Sequence, residues 1–460
     1  MPLVKNMLIP LTITGVSAEG NGVGRYHESS EDAGMVVFVP FTAEGDEIIC
    51  RIVKVSKAFA FGIVEEMTKP SSHRCGEQEA DCAAFKKCGG CSLRHIRYES
   101  ELQYKQQRVA DAIQRIGGFN LPVQPIVASE RVERYRNKAQ YPVSFNGERL
   151  LSGFYAQRSH RIVEQADCLL QPEEFEPILS EVLAWAKENE VTAYDESKHK
   201  GWLRHVYIRK AEVTGEIMVC LVATSGKVNN ANDLVDRLLR SNDKIVSILV
   251  NMNREDTNVV FGNKSFALYG ESYITDQLCG LTFRLSPLSF YQVNREQAER
   301  LYGLVKQYAQ LSGTETVLDI YCGTGTIGLT LADKAKQVIG IESVQQAVED
   351  ARLNAEMNDI ANARFLCADA ADAAKQLEQE GVQTDVVVLD PPRKGCSASL
   401  VETVSAMNPS RIVYVSCDPA TLARDCKLFA ENGYLPQSVT PVDMFPRTPH
   451  VETVVLLSKG

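Results

Sequence analysis

From residue 286 onward the sequence repeats one pattern. Short apolar runs, "TVLDI", "QVIGIE", "ARFLCAD", "DVVVLD" and "RIVYVSC", alternate with segments of helical periodicity. Runs this short and this apolar suit strands covered on both faces, and strand–helix alternation assembles them into a doubly wound parallel sheet. The pattern predicts an α/β domain over residues 286–460, ending in a further strand, "VETVVLLSKG". Open sheets of this kind bind ligands in the crevice outside the carboxyl ends of their strands. The residues at those ends are therefore the first candidates for function.

The first strand runs into "YCGTGTIG", where Gly323, Gly325 and Gly328 follow the order G-x-G-x-x-G between a strand and a helix. Such a loop lets the backbone approach a ligand, and alone it would suit a dinucleotide. Glu342 ends the next strand, 23 residues after Asp319, where an acid can bond ribose hydroxyls. Asp369 and Asp390 end the third and fourth strands. Each could be a solvated strand end; together they mark a ligand crevice. Asp319, just before the glycine loop, would repel a pyrophosphate and suits a cationic amino-acid group, which favours S-adenosylmethionine over NAD. "LDPPRKG", residues 389–395, resembles the motif with which methyltransferases hold a planar base.

The fifth strand ends in Ser416-Cys417, and Asp418-Pro419 then opens a helix. A core cysteine would sit inside the run, whereas Cys417 sits at its tip, facing the crevice. A small buried strand-end residue is the plain alternative.

Upstream, residues 5–67 read as about five short strands rich in β-branched and aromatic residues, with "AEGNGVGRY" as a loop. This predicts a small barrel of the OB type, a fold that binds nucleic acid or serves as a spacer. Residues 68–285 form a central α+β region without a clean internal boundary. It opens with a stretch dense in Cys, Gly and Lys, followed by a helix over 99–118 that Gly117-Gly118 ends and that is a candidate to pack on the C-terminal domain.

Thirteen cysteines, no signal-peptide pattern and no run of roughly 18 apolar residues point to a cytoplasmic protein that spans no membrane, with its cysteines as thiols, ligands or nucleophiles. Cys82, Cys88 and Cys91 stand at C-x5-C-x2-C, with Cys168 far downstream. Four thiolates can hold zinc or an iron–sulfur cluster, and spacing alone leaves zinc as the default. The net charge of −10 argues against nonspecific nucleic-acid binding. Residues 71–170 nevertheless hold 15 Lys and Arg against 11 Asp and Glu. Lys86, Lys87, Arg94, His95 and Arg97, then Arg131, Arg134, Arg136 and Lys138, then Arg158, His160 and Arg161 are candidate phosphate contacts.

Five motifs in order, "SPLSFYQVN", "DIYCGTGTIGL", "LDPPRKG", "YVSCDPATLARD" and "HVETVVLL", resemble the bacterial RNA uracil-5-methyltransferases. The resemblance covers essentially the whole chain and extends to the 23S rRNA branch with an N-terminal TRAM barrel and a [4Fe–4S] cluster. It implies a class I S-adenosylmethionine-dependent domain and a uridine C5 as acceptor. By motif position it implies Cys417 as nucleophile and Glu452 as base. Gln292, Tyr321, Glu342 and Asp390 match cofactor contacts, and Cys82, Cys88, Cys91 and Cys168 match the cluster ligands. Thr326 departs from the family, where Asn is common, which leaves one polar contact open. Cys75 falls outside the ligand spacing and reads as a free thiol.

The chemistry needs a thiolate to activate uracil C5 and a carboxylate to remove its proton. The base must also be turned out of its stack, and Phe290, Tyr291 and Phe445 are candidate stacking partners, with core aromatics as the equal alternative. Competing readings are the same chemistry on tRNA, a base amino-methyltransferase that would not need Cys417, and a non-enzymatic iron–sulfur RNA-binding protein. No protein partner is called for, so a monomer is expected.

Overall fold

Alternation along β1 (Leu8–Val16) shows why the N-terminal strands close on themselves: Ile9, Leu11 and Ile13 are buried while Leu8, Pro10 and Thr12 are exposed. With β2 (Asn21–Tyr26), β3 (Met35–Pro40), β4 (Glu47–Val55) and β5 (Phe59–Lys69) it forms a closed barrel in the order β1-β2-β3-β5-β4. The interior is filled by Ile9, Leu11, Ile13, Val37, Val39, Ile48, Cys50, Ile52 and Ala60. The glycine-rich "AEGNGVGRY", expected as a loop, contributes β2 instead. Pairing with β1 on one side and β3 on the other overrides the low strand propensity of its glycines. The computed structural model describes residues 3–27, 34–76, 82–165 and 167–460, so residues 77–81 of the cysteine-rich stretch lie outside the described residues.

After α1 (Tyr98–Arg115) come β6 (Lys138–Phe145), β7 (Leu150–Tyr155), β8 (Ile162–Glu164), α2 (Phe175–Glu188), β9 (Leu203–Lys210), β10 (Ile217–Ala223), α3 (Ala231–Ser241), β11 (Ile245–Met252) and β12 (Lys264–Gly270). They build a seven-stranded sheet in the order β12-β11-β10-β9-β6-β7-β8. The strand β10 is buried at every position, as expected of a central strand. Phe175, Ile178, Val182 and Trp185 from α2 and Leu234 and Leu238 from α3 pack on this sheet. A hairpin follows, β13 (Ile274–Leu278) and β14 (Leu281–Leu285).

The C-terminal elements are α4 (Arg295–Ala309), β15 (Thr316–Ile320), α5 (Thr326–Leu331), β16 (Gln337–Glu342), α6 (Gln345–Met357), β17 (Ala363–Cys367), α7 (Ala370–Gln379), β18 (Val386–Leu389), α8 (Ala398–Ala406), β19 (Arg411–Ser416), α9 (Pro419–Glu431), β20 (Tyr434–Val442) and β21 (Glu452–Lys459). The sheet order is β17-β16-β15-β18-β19-β21-β20. The five strands from β15 to β19 are parallel, and β21 and β20 close the edge antiparallel. The order reverses between β15 and β18, which opens the crevice there.

Two compact units divide the described chain. One comprises Met1–Arg108, Tyr155–Val163 and Phe445–His450; the other comprises Val109–Phe154, Glu164–Met444 and Val451–Gly460. The C-terminal sheet lies in the second unit, and the central sheet does so except for Tyr155 of β7 and Ile162 and Val163 of β8, so the sequence segment 68–285 is shared between the two. Within the first unit, the Phe445–His450 segment is bound by backbone and buried charge. Arg447 O accepts from Ser92 N and Leu93 N, both at 3.1 Å. Glu101 Oε1 accepts from Arg447 N at 2.8 Å and from Lys105 Nζ at 2.6 Å. Within the second unit, Val109, Ala112 and Ile113 from the later half of α1 join the core of the C-terminal sheet.

Candidate active site

The floor of the crevice is Asp319, fully buried in β15. Its Oδ2 accepts from Gly328 N at 2.8 Å, while its Oδ1 is buried with no hydrogen-bond partner among the described residues. At Gly328 a β-carbon would lie 2.7 Å from Asp319 Oδ2 and 3.0 Å from Val338 Cγ1, so glycine is what lets α5 come close enough to donate. Burial pushes the Asp319 carboxyl up to about 7; the Gly328 bond opposes the rise, and the Asp390 and Glu342 charges add to it.

The loop that follows turns back on itself through positive φ at Tyr321, Gly323 and Gly325 (66°, 55° and 81°). It is fixed to the next strand, since Glu342 Oε2 accepts from Gly323 N at 3.2 Å and Oε1 accepts from Val344 N at 2.9 Å. Gln292 is buried beside this region, its carbonyl accepting from Asn137 Nδ2 at 2.9 Å. The hydroxyls of Thr326 and Tyr302 are 2.9 Å apart. Asp390 lies just past the end of β18, and burial pushes its carboxyl up to about 7. The site therefore presents an orphaned buried acceptor, an open glycine loop and strand-end carboxylates, which fits a donor bearing an ammonium group and ribose hydroxyls. Asp369 is placed differently from expectation. It is exposed, two residues beyond β17, and caps α7 by accepting from Ala371 N at 2.9 Å.

Cys417 and Glu452 lie at the ends of β19 and β21. These strands pair antiparallel with Ser416 opposite Thr453; Cys417 follows the last residue of β19, and Glu452 is the first residue of β21. Burial pushes the Cys417 thiol up to about 11; Glu452 and Asp390 add to the rise and Arg393 opposes it. Burial also pushes Glu452 up to about 8, with Asp390 adding and Arg393 opposing. Asp418, beside the thiol in sequence, turns its carboxylate to the start of α9, accepting from Ala420 N at 3.0 Å and Thr421 N at 2.9 Å. Arg393 was not singled out in the sequence, where a cation inside "DPPRKG" carries no spacing signal.

The aromatic candidates separate. Phe290 is 61% exposed and its carbonyl accepts from Thr324 Oγ1 of the glycine loop at 3.5 Å. Tyr291 is 2% exposed and donates to Asp276 at 3.2 Å, so it is a core residue. Phe445 is half-buried against His450, with centroids 6.1 Å apart.

Several candidate phosphate contacts are committed elsewhere. Arg94 and His95 are buried, and burial pushes His95 down to about 4. Arg131 pairs with Glu212 and Glu296, and Arg134 pairs with Asp167 and bonds the carbonyls of Cys168 and Gln171. Lys138 is pushed down to about 7 by burial and the Arg209 charge. Arg158 lies over the Phe61 ring, and His160 stacks on Tyr155.

The cysteine constellation departs most from expectation. Cys82 and Cys88 pack against Ala84, Ala156 and Val163, and Cys88 and Cys91 line one small cavity. Cys168 belongs to the other compact unit. Among the described residues no group of three or more His, Cys, Asp or Glu side chains is arranged to hold a metal ion, so a formed four-thiolate site is not present there.

A family model described as tRNA (Uracil-5-)-methyltransferase matches residues 97–460, and a TRAM domain model matches residues 8–64. The chain belongs to the tRNA (uracil-5-)-methyltransferase family. It is an S-adenosylmethionine-dependent RNA (uracil-5-)-methyltransferase. Among similar proteins is an uncharacterized RNA methyltransferase of Clostridium tetani, 42% identical over 458 residues, covering 100% of this chain and 98% of the relative. Another, from Halalkalibacterium halodurans, is 42% identical over 457 residues, covering 99% and 98%. Among solved structures, the Pyrococcus abyssi tRNA (uracil-54, C5)-methyltransferase in complex with S-adenosyl-L-homocysteine is similar at TM-score 0.77 and 28% identity, covering 98% of this chain and 100% of that one. No helix among the described residues is long and apolar enough to cross a membrane.

Proposed function

We propose that this methyltransferase modifies C5 of a uridine in 23S ribosomal RNA, with Cys417 as nucleophile and Glu452 as base. The Ser416–Thr453 pair, which brings Cys417 and Glu452 to the same end of the β19–β21 ladder, supports the reading and carries it. Bound S-adenosylmethionine supplies an electrophilic methyl group; Gln292, Tyr321, Gly323, Gly325, Glu342, Asp390 and the orphaned oxygen of Asp319 are the residues that would hold it.

Uracil C5 is too weak a nucleophile to take a methyl group unaided. The Cys417 thiolate adds to C6, and the bond it forms leaves enolate character on C5. Once C5 is methylated it carries both the methyl group and its original proton. Glu452 removes that proton, the C5–C6 double bond returns and the C6–S bond breaks, which frees Cys417. A carboxyl pushed up to about 8 is matched to proton transfer near neutral pH. Arg393 acts on the thiol in the needed direction, toward thiolate. Exposed Phe290, next to the glycine loop, is the stacking partner for a base turned out of its helix.

The choice of ribosomal RNA rests on the family resemblance: the barrel over residues 5–67 as an RNA-binding module, and the cysteine-rich segment. The enzyme then works in the cytoplasm as a monomer. A second reading, a tRNA uridine, is favoured by the whole-chain likeness to a tRNA enzyme, which means that the barrel does not discriminate. Mapping 5-methyluridine in cells lacking the protein tests both. Loss from 23S rRNA supports the first reading, and loss from tRNA alone replaces it with the second. A [4Fe–4S] cluster on Cys82, Cys88, Cys91 and Cys168 rests on spacing and resemblance only, and no step above depends on it. About four irons per chain in anaerobically purified protein would support it, and iron-free protein would remove it.

A further inference from the structure

A buried carboxylate that takes no part in the steps above joins the Arg393 loop to the strand of the nucleophile. Asp425, on α9, is fully buried. Its Oδ2 accepts from Tyr414 OH at 2.6 Å and from Cys396 N at 2.8 Å. Its Oδ1 accepts from Arg424 Nε at 2.8 Å, and Arg424 Nη2 in turn donates to Lys394 O at 2.8 Å. Tyr414 lies in β19, three residues before Cys417; Lys394 and Cys396 lie just after Arg393. Between them, Gly395 has φ +75°, and a β-carbon there would meet Asp425 Oδ2 at 2.3 Å. The loop can close on the carboxylate only because that residue is glycine.

One carboxylate thus binds both segments that bring charge and thiol together. A hydrophobic contact would tolerate sliding. Charge-assisted bonds to a fixed buried group set position to a fraction of an ångström. Arg393 itself is exposed and is the cation acting on both Cys417 and Glu452, so its placement depends on the loop rather than on its own packing.

We propose that Asp425 is a positioning residue, holding the Arg393 loop in register with the Cys417 strand through Tyr414, Cys396 and the Arg424 bridge to Lys394. The proposal rests on the covalent reading above. A carboxylate retained only for folding would leave the chemistry of properly folded variants untouched.

The test uses the full-length enzyme and RNA carrying 5-fluorouridine at the target, which traps the Cys417 adduct because fluorine does not leave as a proton. Asp425→Ala should slow adduct formation at saturating RNA by roughly tenfold or more, with little change in RNA affinity. It should also move the pH dependence of the rate to higher pH, as the thiol loses the Arg393 charge. Asp425→Glu should recover part of the rate. Gly395→Ala should act in the same direction, and the two changes combined should cost less than the product of their separate effects. Arg424→Ala, at a half-exposed side chain, gives the same readout if Asp425→Ala does not fold. Wild-type rate and pH profile in folded Asp425→Ala or Arg424→Ala would overturn the proposal, as would independent effects of Asp425 and Gly395. Failure of the wild type itself to form an adduct, or adduct formation by Cys417→Ala, would instead overturn the covalent reading.

Discussion

Cys417 directly follows Ser416, and Glu452 directly precedes Thr453, at the Ser416–Thr453 pair that ends the β19–β21 ladder. Backbone pairing therefore brings the proposed nucleophile and the proposed base to the same end of the ladder. Burial makes each harder to ionise, Asp390 adds to the rise in both, the Glu452 charge adds further to that of the thiol, and Arg393 opposes it in both.

Replacing Cys417 by alanine should abolish methyl transfer while leaving S-adenosylmethionine binding unchanged, because the glycine loop and Asp319 are not altered. Isothermal titration with S-adenosylhomocysteine and a methyl-transfer assay separate the two effects. Residual turnover at the wild-type level would remove the thiol from the mechanism.

Glu452→Gln should form the covalent intermediate and release it slowly. Protein–RNA adduct should accumulate on natural RNA and be visible by mass spectrometry, with turnover falling by about 10²–10⁴-fold. Turnover at the wild-type rate with no adduct would assign the base role elsewhere.

Carboxyls pushed upward by burial make folding sensitive to pH in a defined direction. Asp319 and Asp390 move from 3.8 to about 7, and Glu452 from 4.5 to about 8. The native state therefore holds protons that the unfolded chain releases above pH 4 to 5. The stabilisation is complete below that range and is lost as pH rises toward 7 to 8. The ligand-free protein should melt at lower temperature at pH 8 than at pH 5. Asp390→Asn should raise the melting temperature clearly more at pH 8 than at pH 5, read by scanning calorimetry. Equal shifts at both pH values would contradict this origin.

Gly328→Ala should weaken cofactor binding. Its β-carbon would press on Asp319 Oδ2 and Val338, forcing α5 away from β15 and breaking the 2.8 Å bond that orients the carboxylate. Overpacking of this kind costs about 1–3 kcal/mol, so the affinity for S-adenosylhomocysteine should fall roughly 5- to 150-fold. Unchanged affinity would show that the helix can shift without moving Asp319.

What could be read from sequence follows the range of the interactions involved. Strands β15 to β19 are short apolar runs, so the positions of Glu342 at the end of β16, and of Asp390 and Cys417 just past β18 and β19, were legible from local pattern. Strand β20 was not foreseen, because "YLPQSVTPV" carries two prolines and acquires its pairing only from β21. Asp369 looked like another strand-end acid, but one residue of spacing turns it into a helix cap. Arg94 and His95 read as surface charge within a basic stretch; the burial of both, His95 beside Phe85 and Phe41, is a tertiary fact that no spacing encodes. Asp425 was visible only as one letter of a motif; its role depends on Gly395 and Tyr414, which reach it from other elements.

The Phe445–His450 segment gives the protein an unusual order of assembly. The rest of the unit to which it belongs lies before Glu164 in the chain, yet its buried Glu101 lacks the Arg447 backbone donor until the segment emerges. At about 5–20 residues per second, that unit waits on the order of half a minute for its last piece. It is thus finished only after six of the seven strands of the C-terminal sheet have been translated, so a stalled ribosome would leave neither unit complete.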